Sequence, residues 1–152
     1  MEQKLNALAT KLFREFARFE YSLKVAGFHN GDGDAKPNWR SFAKAIPVLF
    51  NEIEDNELKI AVNYFRQNPP RKQIIEDGQL DWDDTEPQTD LEIDRILIYV
   101  RRVRNNLFHG GKFNGRWFAP QRSEQLLSHS LTILKACREA SPDVNDAYHH
   151  SA

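Results

Sequence analysis

The run Arg101-Arg102-Val103-Arg104-Asn105-Asn106-Leu107-Phe108-His109-Gly110-Gly111-Lys112 gathers three arginines, two amides and a histidine where a helical pattern gives way to glycine. Guanidinium forks and amide donors at such a terminus suit an anion, above all a phosphate. Asn105 and His109 are four apart and share a helical face. Arg104 is displaced from His109 by about 140°, yet its side chain is long enough to bend toward the same pocket. A helix C-terminus favours protonated imidazole and the neighbouring arginines oppose it, so spacing alone leaves the direction of the His109 shift open. Its ordinary range still suits acid or base work on a phosphodiester, with an arginine stabilising charge that develops on the phosphorus oxygens. The plainer alternatives are a helix-terminal histidine with local hydrogen bonds and an ordinary amide contact from Asn105.

The elements that must position this segment are helical. Leu5, Leu8, Leu12, Phe16, Phe19 and Leu23 recur at three and four residues and predict a long helix from Glu2 to about Gly27. Asn30-Gly31-Asp32-Gly33-Asp34 before Pro37 reads as a turn; it lacks the full spacing and terminal Glu of a calcium loop. Asn38 or Ser41 caps a second helix carrying Trp39, Phe42, Ile46, Leu49 and Phe50, with Pro47 at a kink or break. A third helix spans Asn56 to Gln67 and stops at Pro69-Pro70. Arg71 to Thr89 reads as a connection with a short turn at Gln73 to Asp77 and Trp82 as an anchor. The motif helix follows from Thr89 or Asp90 to about His109, with Leu91, Ile93, Ile96, Leu97, Tyr99, Val100, Val103 and Leu107 as its apolar positions. A loop bearing Phe113, Trp117 and Pro120 leads to a last helix from about Ser123 to Ala140. The expected fold is all-α, an up-and-down bundle with long first, motif-bearing and C-terminal helices in one domain over 1–141, followed by a flexible tail over 142–152.

Arg104-Asn105-Asn106-Leu107-Phe108-His109 resembles the Arg, polar residue, spacer, His signature of the HEPN superfamily. The flanking apolar helix, Gly110-Gly111 and the long first helix containing Phe19-Glu20-Tyr21-Ser22-Leu23-Lys24 are similar to that family's helical plan, over Glu2 to Ala140. The resemblance implies a homodimer whose motif helices meet in a composite RNA-cleaving groove. It implies Arg104 and His109 as the catalytic pair, Asn105 assisting, and no metal or other cofactor. RNA would supply its own 2′-hydroxyl nucleophile, giving a 2′,3′-cyclic phosphate and a 5′-hydroxyl. A toxin or antiviral defence effector is the biological role expected of such an endoribonuclease, with an antitoxin or other regulatory protein as a further partner. Arg101, Arg102, Lys112 and Arg116 are candidate RNA-backbone contacts, and Phe113 and Trp117 either stack bases or cover the core. Glu20 is a candidate orienting residue for Arg104 if the bundle brings the two together. The competing functions are a noncatalytic RNA-binding or partner-regulating module and a helical protein-interaction domain.

Whole-chain totals add mainly exclusions. The 152 residues carry a formal charge of -1, which conceals a sharp division. Glu76 to Asp94 holds nine acids and no Lys or Arg; Arg95 to Arg122 holds seven basic residues and no acid. The single cysteine, Cys137, excludes an internal disulfide and any multi-cysteine metal pattern, and His149-His150 makes no convincing metal site. His129 reads as surface or structural. The charged N-terminal helix lacks a signal-peptide core and no stretch is apolar enough to span a membrane, so a cytoplasmic chain without membrane contact is expected.

Overall fold

The computed structural model describes residues 1–46, 53–108 and 119–150, together with the backbone of 112–113 and 116–117. Within these, six helices and two small antiparallel hairpins follow one another as α1 (Glu2–Val25), α2 (Trp39–Ala45), α3 (Asn56–Gln67), β1 (Lys72–Glu76), β2 (Gln79–Asp83), α4 (Glu92–Phe108), β3 (Lys112–Phe113), β4 (Arg116–Trp117), α5 (Pro120–Glu139) and α6 (Pro142–His150).

The helices begin and end where local chemistry requires. α1 closes in a Schellman arrangement: Phe28 N donates to Leu23 O at 2.8 Å and Gly27 N to Lys24 O at 3.3 Å, with Gly27 at φ +96°. Asn38 Oδ1 accepts from Ser41 N to cap α2, and Asp55 Oδ1 accepts from Leu58 N to cap α3. α2 ends at Ala45, ahead of Pro47; Pro47, Leu49 and Phe50 lie outside the described residues.

Leu5, Leu12, Phe16, Phe19 and Leu23 of α1 are buried, as the three-and-four spacing requires. They meet α5 and α6, while α4 packs against α2 and α5. Phe19 stacks on Trp39 with ring centres 5.1 Å apart and meets Phe42 edge-on at 5.5 Å, which ties α2 to α1. No helix among the described residues is long and apolar enough to cross a membrane.

Three expectations need correction. The mostly helical architecture holds, but Arg71 to Thr89 is not merely a connection: β1 and β2 pair from Lys72↔Asp83 to Glu76↔Gln79. Asp77 and Gly78 take φ +51° and +74°, the two left-handed positions of a tight hairpin turn. Second, Trp82 does not anchor this segment in the core: it is exposed, with the Arg71 guanidinium 5.7 Å from its ring centre. Third, Pro142–His150, expected within a flexible tail, form α6. Val144 is fully buried, Tyr148 Oη hydrogen-bonds Glu15 Oε2, and Arg18 Nε donates to Tyr148 O at 2.9 Å. The guanidinium carbons of Arg18 and Arg138 also lie 4.5 and 4.1 Å from the Tyr148 ring centre. Pro142 therefore starts a helix, consistent with its preference for the first helical turn.

Candidate nucleic-acid interface

α4 divides its residues between two faces. Ile93, Ile96, Leu97, Val100 and Val103 are buried. Ile98, Arg101, Arg102, Asn105 and Asn106 recur at i, i+3, i+4, i+7 and i+8 and make a second, predominantly polar stripe. Arg104 follows Leu97 by seven residues and Val100 by four, so it leaves the helix on the side of α1 rather than within that stripe.

The side chain of Arg104 has a defined setting there. Phe16 and Glu20 are four apart on α1 and present a ring and a carboxylate side by side. The guanidinium carbon lies 4.8 Å from the Phe16 ring centre, and Nη2 donates to Glu20 Oε1 at 3.3 Å. Nη1 donates to Asn105 Oδ1 at 2.7 Å. Glu20 is itself held from α2, where Trp39 Nε1 donates to its Oε2 at 2.9 Å. The Arg104 side chain nonetheless stays 36% exposed.

The other two arginines of the motif serve different ends. Arg101 Nη2 is 4.0 Å from the buried Asp94 Oδ1, and its guanidinium carbon is 5.4 Å from the Trp39 ring centre. Burial pushes the Arg101 pKa down, while Asp94 and then Glu20 oppose the shift. Asp94 also accepts from Arg40 Nη1 at 3.0 Å, so this carboxylate links α2 to α4. Arg102, expected to be an RNA-backbone contact, donates to Pro70 O at 3.3 Å and Thr85 O at 3.1 Å. Those carbonyls flank the first hairpin, and the guanidinium clamps its two feet. Asn106 Nδ2 adds a third tie, to Arg71 O at 2.7 Å.

Between β1 and the polar stripe of α4 lies a cleft of about 390 Å³, walled by Lys72 and Gln73 on one side and Arg101, Arg102, Asn105 and Asn106 on the other. A smaller, apolar hollow beside Arg104 is lined by Leu12, Phe13, Leu107 and Phe108.

The structure therefore brings Arg104, Asn105 and Glu20 together and sets Arg101 and Arg102 along the adjoining cleft. His109 lies outside the described residues. For Lys112, Phe113, Arg116 and Trp117 only the backbone is described, as a two-residue antiparallel pair with Lys112↔Trp117 and Phe113↔Arg116. The His129 ring packs beside Tyr64, with ring centres 4.8 Å apart.

Sequence reasoning did not place Trp39, Lys72 or Gln73 at the site. Trp39 reads as an ordinary core aromatic, and its indole N–H reveals its use only when Glu20 is opposite. Lys72 and Gln73 depend on the hairpin, for which Asp77-Gly78 was the available signal. No family model, curated protein or solved structure matches the chain.

Proposed function

We propose that this chain is a metal-independent endoribonuclease resembling HEPN domains, acting as a homodimer with Arg104 and His109 as its catalytic pair. The observation that carries the reading is the setting of Arg104: a guanidinium held by Glu20 and Asn105, backed by Phe16, and still partly open to solvent. Such pre-orientation suits stabilisation of charge that grows only in the transition state. The sequence supplies His109 four residues beyond Asn105, within the same motif.

In this mechanism the RNA 2′-oxygen loses its proton to a base and attacks the adjacent phosphorus. The bond from phosphorus to the 5′-oxygen breaks, and that oxygen takes a proton from an acid. The products are a 2′,3′-cyclic phosphate and a 5′-hydroxyl. Arg104 neutralises charge on the phosphorane oxygens, and the His109 side chains of two subunits divide the base and acid roles. A noncatalytic RNA-binding module would share the basic cleft, but simple phosphate contact places no demand on the fixed orientation of Arg104. The proposed biological setting, a toxin or antiviral defence effector under control of a partner protein, follows from the family resemblance.

The test is cleavage of structured and single-stranded RNAs in chelator by the native chain, Arg104→Ala and His109→Ala, each checked for folding and dimerisation. Both variants should lose at least a hundredfold in rate, and 2′-deoxy substitution at the scissile nucleotide should block cleavage. A folded native dimer that neither binds nor cuts RNA refutes the proposal.

A further inference from the structure

The first hairpin is more than a surface excursion. Arg102 holds the carbonyls at both of its feet, and Asn106 holds Arg71 O immediately before β1. Three hydrogen bonds thus fix the β1 edge against α4, so the cleft between them has two ordered walls. Among the described residues no carboxylate lines it: the contributing side chains are cationic or carboxamide, apart from Ile98. Asn105 commits its Oδ1 to Arg104, which leaves its amide NH2 as the donor it can offer a ligand. Gln73 adds a carboxamide, whose paired donor and acceptor match the edge of a nucleobase, and Asn106, whose Nδ2 donates to Arg71 O, adds its Oδ1 as an acceptor.

The hairpin extends this surface. Gln73 lies directly across from Trp82, and Ile75 across from Leu80. Residues opposite one another, and those two apart on a strand, share a sheet face. Gln73, Ile75, Leu80 and Trp82 therefore share one face, on which Ile75 and Leu80 are 70% and 64% exposed and Trp82 is 38% exposed. An aromatic surface beside a cationic, amide-lined cleft is the combination that unpaired bases and their phosphates use.

We propose that the cleft between β1 and α4 binds one nucleotide of a single-stranded RNA, with Lys72 and Arg101 toward its phosphate, Gln73 and Asn106 toward its base edge, and Trp82 stacking the next base. The cleft volume falls near the lower end of small-ligand sites, which suits one nucleotide rather than a longer segment. Base pairing would bury the edges that the carboxamides read, so the ligand is an unpaired strand. Asn105 touches both Arg104 and the cleft, which places the bound nucleotide next to the scissile phosphate; that placement alone rests on the ribonuclease reading.

The experiment measures fluorescence anisotropy of the full-length chain with a mixed-sequence single-stranded RNA 12-mer, 2′-O-methylated throughout so that it cannot be cut. The Lys72→Ala/Gln73→Ala double variant should raise Kd about tenfold and reduce the salt slope by about 0.7, the loss of one single-strand phosphate contact. Trp82→Ala should raise Kd at least fivefold, and circular dichroism will confirm that both variants keep the native helix content. Unchanged Kd in both variants overturns the proposal. So does equally tight binding of uridine or adenosine monophosphate alone, which would identify a free-nucleotide site, or equal competition by poly-glutamate, which would identify an acidic-peptide site. Cleavage of the unmodified 12-mer is read in parallel. Binding that depends on Lys72, Gln73 and Trp82 without native cleavage supports the cleft and removes the ribonuclease reading. Native cleavage with binding indifferent to all three residues removes the cleft and leaves the ribonuclease reading intact.

Discussion

Replacing Trp39 with Phe isolates the contact on which the orientation of Arg104 depends. Trp39 is 5% exposed, and its indole N–H donates to the Glu20 carboxylate at 2.9 Å. A phenyl ring preserves much of the packing on Phe19 and Phe16 but supplies no donor. A hydrogen bond to a charged acceptor contributes about 1.5–3 kcal/mol, and the smaller ring leaves a void that costs about 1 kcal/mol more. The expected loss of stability is therefore about 3 kcal/mol, or roughly 6–12 °C in Tm for a domain of this size. A double-mutant cycle with Glu20→Met separates the hydrogen bond from the void and should give a coupling of about 1–2 kcal/mol. With Glu20 less restrained, one of the two polar supports of Arg104 is loosened, and RNA cleavage should fall about tenfold in kcat with KM little changed. Chemical denaturation of the four proteins and single-turnover cleavage provide the measurements. A coupling below about 0.5 kcal/mol, or a kcat unaffected by Trp39→Phe, refutes the idea that Trp39 positions Arg104 through Glu20.

Three further outcomes follow from the same packing. Arg104→Lys keeps the charge but loses the fork that reaches Glu20 and Asn105 together, so cleavage should fall about a hundredfold while the partly exposed site loses no more than about 1 kcal/mol of stability. Burial pushes the His129 pKa below its ordinary value of 6.5, so the unfolded chain takes up a proton that the folded chain resists. The resulting contribution is complete above about pH 6.5 and is lost as pH falls through the depressed folded value, so urea midpoints measured from pH 7.5 to 5 should fall less steeply in His129→Phe than in the native chain. The buried Cys137 thiol is pushed up to about 12, so a thiol-alkylating reagent at pH 8 should label it only after denaturation; rapid labelling of folded protein would contradict its packing.

Much of the helical plan was legible because short-range patterns express it. The three-and-four spacing in α1, the run from Asn56 to Gln67, and the acidic first turn and apolar stripe of α4 each depend on neighbours within a turn or two. The hairpin was harder to read because its strands lie on the surface and show no alternation of buried and exposed positions. Its Asp77-Gly78 turn is also embedded in an acidic stretch that reads as hydrated loop. α6 is short, and its stability depends on Val144 and Tyr148 docking against the rest of the bundle, a dependence that periodicity does not register.

The candidate site divides along the same line. Arg104, Asn105 and His109 stand within six residues, so their association as a motif is a property of the chain order alone. Glu20 was recognisable as an orienting residue only conditionally, since 84 residues separate it from Arg104 and no local rule decides whether α1 and α4 meet there. The tertiary structure decides it by packing Phe16 and Phe19 beside Trp39, which turns the indole N–H onto Glu20 and sets the carboxylate beside the guanidinium. It likewise turns part of an acidic connection into the wall of a basic cleft, because Arg102 and Asn106 bind the hairpin's backbone carbonyls, whose positions depend on the fold rather than on side-chain charge.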